Sequence, residues 1–179
     1  MISVVIMRQT ITNTLCEMFE DRGYDKSDIS ESDNKMFVGK NIVVYFFLES
    51  KVGVNHIKDI RTELGPIKHI VIVYKNSITS FAKQTIQELG VDGVDVEIFK
   101  DTELMFNVTK HVLTPKHEKI SDQEKTDLLK KLYIRELNLP HIKKTDPVSK
   151  YMGLKHGDVV KIHRYSQISE HSMYYRICV

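Results

Sequence analysis

Two charged residues that follow an apolar strand are the feature of this sequence most suggestive of catalysis. Glu49 and Lys51 come directly after the apolar run at residues 42–48, and upstream turns carry Asp28 and Asp33. Two carboxylates can hold Mg²⁺, which activates water, while a lysine stabilises the charge that develops on phosphate. This layout is typical of many metal-dependent nucleases. A nuclease that uses Asp33, Glu49 and Lys51 is therefore one hypothesis for the function of this chain, as the alternative to a protein without catalytic activity.

The same residues fit a simpler interpretation, in which a strand ends in solvent and carries charged side chains there. The pattern of Glu49 and Lys51 is short, and no predicted helix offers a third acidic ligand at a convincing place. We therefore predict a chain without catalytic residues.

The remaining residue types indicate neither a metal site nor a cofactor. The sequence has eight histidines, but no two have the four-residue spacing of a helical zinc site, and no cysteine joins them. It also lacks the glycine-rich phosphate loops and the nucleophile-elbow motif. We predict no cofactor, no metal and no small-molecule ligand.

The cysteines and the apolar runs indicate the cellular compartment in which this protein is expected. Cys16 and Cys178 stand at opposite ends of the chain and offer no disulfide framework, which favours a reducing environment. Cys16 falls on the apolar side of a predicted helix, where an inert thiol is the common state. The run at residues 42–48 is far too short to span a membrane. A soluble intracellular protein without a membrane partner is the expectation.

The elements that position these side chains alternate between helix and strand in the first half. Apolar residues at helical spacing predict three helices, around residues 11–19, 54–64 and 81–89, the third of which carries Phe81, Ala82, Ile86 and Leu89. Continuous apolar runs predict buried strands at residues 42–48 and 69–74, and alternation predicts an edge strand at residues 94–99. The polar residues 25–35 are expected to form a loop. This order indicates an α/β domain with a partly parallel sheet.

The second half has the signals of a small α+β domain. Ser121 and Glu124 form a capping box before a leucine-rich helix, and Asp146 with Pro147 can begin a short one. Pro140 fixes an extended segment. Alternating residues predict two strands, at 158–164 and 173–179.

The distribution of charge also divides the chain. The formal net charge is only +2, which argues against a protein that coats nucleic acid with its whole surface. Residues 1–109 contain 12 Lys and Arg and 16 Asp and Glu, whereas residues 110–179 contain 14 and 8. We predict an N-terminal domain at residues 1–107 and a C-terminal domain at residues 108–179.

Several motifs of the second half fall in the order and spacing of a known family. They are residues 111–117, 124–133, 139–142, 146–151 and 153–162, and the pair Tyr175 and Arg176. Together they resemble the shared small subunit of cellular RNA polymerases, which is present in archaea and is the fifth subunit common to the nuclear polymerases. The first half is similar to the jaw domain of the eukaryotic-type version, through residues 21–24, residues 51–54 and the SFAKQ segment at residues 80–84.

The resemblance implies a non-catalytic structural subunit of a multisubunit DNA-dependent RNA polymerase. The C-terminal domain would dock on the largest subunit and help assemble the enzyme, beside other polymerase subunits. The jaw, whose fold in this family is nuclease-like, would lie near downstream duplex DNA. The residues expected to bind the partner are Pro140, Asp146, Pro147, Tyr151, Gly153, Gly157, Arg164, Tyr175 and Arg176.

Two further expectations depend on this resemblance. Localisation would be nuclear for a cellular protein, and in the virion or a cytoplasmic viral factory for one encoded by a large DNA virus. A free-standing nucleic-acid binder is a third hypothesis, and the Lys130–Lys131 and Lys143–Lys144 pairs are its candidate phosphate contacts.

Overall fold

The computed structural model describes residues 2–32, 34–48, 51–63, 67–166 and 170–179. The chain divides into two compact units between Phe106 and Asn107. We call the N-terminal part unit 1 and the C-terminal part, Asn107–Val179, unit 2. Their described residues form mixed α/β structure with two sheets and five α-helices, as the sequence predicts in outline.

Unit 1 contains a five-stranded sheet whose strands follow one another in chain order. The strands are β1 (Ile29–Glu31), β2 (Lys35–Val38), β3 (Ile42–Phe47), β4 (His69–Tyr74) and β5 (Asp95–Lys100). The first three pair in antiparallel fashion, and β3, β4 and β5 are parallel. The predicted partly parallel sheet is therefore confirmed.

Three helices accompany this sheet, namely α1 (Ile2–Asp21), α2 (Val54–Glu63) and α3 (Ser80–Val91). Val43 and Tyr45 of β3 and Ile70 and Ile72 of β4 share one apolar core with buried residues of α2 and α3. On the opposite side of β3, the guanidinium carbon of Arg8 in α1 lies 5.1 Å from the ring centroid of Phe46. Both faces of β3 are covered, which is why its sequence is continuously apolar rather than alternating.

One expectation for unit 1 is wrong. Residues 25–35 do not form a single loop, because β1 and the start of β2 lie there and pair as a hairpin. These strands are only three and four residues long, too short for periodicity to reveal them. Phe81 is 73 % exposed, since the buried row of α3 is Ala82, Ile86 and Leu89, and Phe81 points about 100° away from it.

Unit 2 is built on a four-stranded mixed sheet in the order β6-β8-β9-β7. Its strands are β6 (Lys116–Lys119), β7 (His141–Ile142), β8 (Val159–Ser166) and β9 (Glu170–Cys178), and its helices are α4 (Asp122–Leu132) and α5 (Pro147–Met152). β8 and β9 form a long antiparallel hairpin, and β7 adds to β9 in parallel. β6, with the sequence KHEK, carries no apolar signal and was not predicted.

The sheet of unit 2 is packed on both faces. Ile142, Val160, Ile162 and Cys178 form one cluster with Leu154, which follows α5. Leu139, Val159 and Ile177 form the other, with Leu128 and Leu129 of α4 packed against it. No α-helix in the described part of the chain is long and apolar enough to cross a membrane.

Candidate assembly surface and basic edge

Of the three candidate nuclease residues, only Lys51 lies in the described part of the chain. Asp33 and Glu49 lie outside the described residues, and Lys51 is exposed. Within the described ranges, no three histidine, cysteine, aspartate or glutamate side chains are grouped so as to hold a metal ion. The nuclease hypothesis therefore gains no geometric support from the residues that can be inspected.

The two cysteines have the character of inert thiols. Burial is the main cause that raises the pKa of Cys16 above its ordinary value. Burial also raises the pKa of Cys178, and the neighbouring charge of Asp158 adds to this effect. A raised pKa leaves less thiolate at neutral pH, so neither residue has the activation that a nucleophile needs.

A basic edge lies where the parallel strands of unit 1 end. Phe47, Tyr74 and Lys100 stand side by side at the carboxyl ends of β3, β4 and β5, and Lys75 follows directly. Lys51 lies in the loop after β3, and Lys83 lies in the first turns of α3. We call Lys51, Lys75, Lys83 and Lys100 the basic edge. Lys75 is half-buried and the other three are exposed.

Backbone hydrogen bonds fix the loops of the basic edge. The amide of Val52 donates to the carbonyl of Ser77 at 3.0 Å, and the amide of Thr79 donates back to Val52 at 3.1 Å. The Thr79 hydroxyl then caps α3 by accepting from the amide of Ala82 at 3.3 Å. Two connections between strand and helix are thereby joined, and the N-termini of α2 and α3 are held at the same end of the sheet.

The electrostatics of this edge favour an anionic neighbour. Helix N-termini carry partial positive charge, and lysines act as point charges for phosphate. Two carboxylates also lie near this edge. That of Asp101 accepts a hydrogen bond from the backbone amide of Thr102, and that of Glu103 accepts one from the backbone amide of Lys100. Apart from Lys51, the residues of this edge are not among those that the sequence pattern predicts to be functional. The available signal was a lysine at or just after the end of each predicted parallel strand, because such ends meet at one edge.

In unit 2, short-range hydrogen bonds give α5 a defined beginning and end. The carboxylate of Asp146 accepts from the amide of Val148 at 2.9 Å, and Pro147 occupies the first helical turn. Gly153 ends the helix with φ of 63°, a left-handed conformation that favours glycine. The predicted start of this helix is confirmed.

Gly157 shapes the turn that leads into β8. Its φ is 91°, where a side chain would be strained. Its amide donates to the carbonyl of Cys178 at 2.9 Å, and its own carbonyl accepts from Nζ of Lys125 at the same distance. One glycine therefore connects the end of β9 with α4.

Eight of the nine residues expected to bind a partner divide into two groups. Pro140, Pro147 and Arg164 are exposed, and Tyr175 and Arg176 are half-buried. Asp146, Gly153 and Gly157 define turns and helix ends instead.

Tyr151 departs from the expectation for a partner contact. It is 4 % exposed, and its hydroxyl accepts from the side-chain amide of Asn107 at 2.8 Å. Its side chain therefore packs α5 inside unit 2 rather than reaching a surface.

Arg164 belongs to an exposed aromatic group on the β8–β9 hairpin. Its guanidinium carbon lies 5.1 Å from the ring centroid of Tyr174, which is 49 % exposed. Tyr165 is 74 % exposed, and its ring makes an edge contact with His171 at 5.7 Å between centroids. Arginine and tyrosine are residue types that dominate protein interfaces.

The described geometry has the character of an assembly protein: a basic sheet edge in unit 1, and in unit 2 a rigid module with exposed proline, arginine and tyrosine side chains. The family described as "RNA polymerase Rpb5, C-terminal domain" matches residues 106–178, which is nearly the whole of unit 2. The chain belongs to this family of RNA polymerase subunits, as its relatives show over both units.

Three relatives illustrate the similarity. The chain is 35 % identical to "DNA-directed RNA polymerases I, II, and III subunit rpabc1" of Dictyostelium discoideum, over 94 % of this chain and 95 % of the relative. It is 33 % identical to "DNA-directed RNA polymerase V subunit 5A" of Arabidopsis thaliana, over 91 % and 83 %. It is 34 % identical to "DNA-directed RNA polymerases I, II, and III subunit RPABC1" of Caenorhabditis briggsae, over 93 % and 82 %. The expected family is confirmed.

Proposed function

We propose that this chain is a structural subunit of a DNA-directed RNA polymerase that docks on the largest subunit through unit 2 and faces downstream duplex DNA with unit 1. The observation that carries the proposal is similarity to subunits of this family along almost the whole chain. Family membership makes the chain part of an enzyme complex rather than a catalyst, and nothing in the comparisons supports the nuclease alternative.

The docking surface that we propose consists of the side chains of unit 2 that reach solvent. Pro140 and Pro147 present rigid backbone with little conformational entropy left to lose on binding. Arg164, Tyr175 and Arg176 add charge and aromatic surface. Asp146, Tyr151, Gly153 and Gly157 would act indirectly, by holding α5 and the turn before β8 in place.

The docking proposal predicts which subunits accompany the tagged full-length chain. Affinity purification from its natural source should recover the largest polymerase subunit. A Pro147→Ala/Arg164→Ala double variant should recover roughly fivefold less, the equivalent of about 1 kcal/mol for a modest contact in an interface. Lys130→Ala, an exposed change on α4, should match the unmodified chain. Recovery without any polymerase subunit would refute the proposed function.

We assign the contact with downstream DNA to the basic edge, which supplies clustered positive charge on a unit of net negative charge. Such a contact is local, and a chain of this composition alone is expected to bind DNA weakly. We also propose that unit 1 has the nuclease-like fold that the resemblance implies for the jaw. The parallel strands of unit 1, whose carboxyl ends carry the lysines, support this proposal. Localisation would be nuclear in a cell, or in the virion or viral factory for a viral protein.

The DNA contact predicts a position-specific salt dependence. Lys51→Ala/Lys100→Ala should lower the slope of log affinity against log salt by about 2 for a short duplex, because each lost phosphate contact contributes about 0.9. The measurement is fluorescence anisotropy of labelled DNA with the full chain at low salt. Lys40→Ala/Lys68→Ala removes the same charge at the opposite ends of β3 and β4, where both lysines are exposed, and should leave the slope unchanged. Equal effects of the two pairs would contradict the assignment.

A further inference from the structure

Among the described residues, the outer edge of β9 has no partner strand along most of its length. β8 accompanies β9 from Glu170 to Ile177, but on the other side the described structure pairs only Ile177 and Cys178, with β7. The part of β9 from His171 to Tyr175 therefore has β8 on one side and no described strand on the other. We call this side of the segment the open edge.

The direction of the backbone groups follows from the two bonds that β9 and its end make with β7. The amide of Ile177 donates to Pro140 at 2.9 Å, and the amide of Val179 donates to Ile142 at 3.0 Å. Alternate residues of a strand direct their amides and carbonyls to the same side. Met173 and Tyr175 therefore direct theirs to the open edge, where a further strand could bind them.

The sequence of β9 lacks two of the common features that prevent an edge strand from pairing. Such edges are commonly interrupted by proline or guarded by lysine. Glu170–Cys178 contains neither, and it exposes 58 % of Met173 and 49 % of Tyr174, which point to opposite faces. An incoming strand would thus find apolar contacts above and below, together with backbone partners.

The charges around the open edge indicate the chemistry of the strand that it would accept. Arg164 and Arg176 lie on the face of Tyr174, and Lys143 and Lys144 follow β7 and are exposed. Glu170 is the one carboxylate on the described part of the hairpin. This excess of positive charge is complementary to an extended segment with both acidic and apolar side chains.

We propose that the open edge of β9 takes up such an acidic and apolar segment of the docked polymerase subunit as an additional strand of the sheet. The inference rests on the proposed function, and it specifies the mode of docking as strand addition. Main-chain hydrogen bonds to Met173 and Tyr175 provide the attachment, and the arginines orient the segment.

The test separates the backbone of Met173 from its side chain. Met173→Pro removes an amide that faces the open edge and spares the hydrogen bonds to β8, whereas Met173→Ala keeps the amide and removes only side-chain surface. In affinity purification of the full chain, Met173→Pro should lower recovery of the largest subunit about tenfold, and Met173→Ala less than threefold. Circular dichroism and thermal unfolding check that Met173→Pro is folded.

A second measurement needs no variant. Amide hydrogen exchange at Met173 and Tyr175 should slow at least about tenfold when the full chain is in the polymerase, compared with the chain alone. Unchanged exchange, or equal recovery of all three proteins, would overturn strand addition while leaving the subunit assignment intact. A concentration-dependent dimer of the free chain that Met173→Pro abolishes would instead assign the edge to a second copy, and would also overturn the proposal. Failure of the unmodified chain to recover any polymerase subunit would count against the proposed function itself.

Discussion

Replacing Glu97 with alanine is expected to destabilise unit 1 by about 3–5 kcal/mol, the usual cost of removing one member of a buried ion pair. Nη1 and Nη2 of Arg22 donate to the two carboxylate oxygens of Glu97 at 2.9 and 2.8 Å, and Nε2 of His69 lies 2.9 Å from Oε1. Without the carboxylate, these groups, which are mostly withdrawn from water, lose their negative partner.

The pH dependence provides an independent readout of the same contact. Burial alone would raise the pKa of Glu97, but hydrogen bonds from His69 and Arg22 and the Arg22 charge lower it from 4.5 to about 2. The folded pKa lies below the unfolded one, so the carboxylate stabilises the protein above about pH 4.5. That contribution, about 3 kcal/mol, is lost as the pH falls towards 2.

The measurement is urea-dependent hydrogen exchange of the β4 and β5 amides, which reports on unit 1, at pH 7 and pH 3. The unmodified chain should lose stability over this range, and Glu97→Ala should lose less of it. Glu88→Ala is the matched control, since Glu88 is an exposed residue on α3. If Glu97→Ala and Glu88→Ala are equally stable at pH 7, the buried ion pair does not contribute as we expect.

Leu154→Ala is expected to cost unit 2 about 2–5 kcal/mol and to reduce its assembly with polymerase. Leu154 is 2 % exposed and packs with Ile142 of β7 and with Val160 and Ile162 of β8. Truncating a buried leucine removes transfer free energy and leaves a cavity. Because the residue directly follows the Gly153 helix end, the loss also loosens α5, which carries Pro147.

Hydrogen exchange of the β8 amides gives the stability of unit 2, and affinity purification of the full chain gives assembly. Leu137→Ala is the control of identical chemistry, since Leu137 is 85 % exposed and its loss should change stability by no more than about 0.5 kcal/mol. A Leu154→Ala chain that keeps both stability and recovery would show that α5 does not depend on this packing.

Local signals predicted much of the fold because they act within a few residues. The Ser121–Glu124 capping box is present, with the hydroxyl of Ser121 accepting from the amide of Glu124 at 3.3 Å. Asp146 and Pro147 begin α5 as expected, and the apolar runs became β3 and β4. A cap or a buried run is encoded by adjacent side chains, so the sequence carries it directly.

Local signals did not predict the contacts between residues that are far apart in the sequence. The hairpin of β1 and β2 depends on the pairing of β2 with β3. The segment KHEK forms β6 because it pairs with β8. Arg22 and Glu97 are 75 residues apart, and no periodicity relates them. The free energy that forms these contacts comes from bringing distant segments together.

For the candidate site, too, some features follow from local sequence and others from tertiary structure. The sequence by itself determined the caps, the turns, the glycine positions and the family resemblance, since each rests on local order along the chain. Only the tertiary structure decided that Tyr151 is buried while Pro147 and Arg164 are exposed, and that the lysines after three strands share one edge. It also decided that one side of β9 has no partner along most of its length among the described strands. Burial, edge position and shared location are properties of neighbours in space, and these are set when the sheets form.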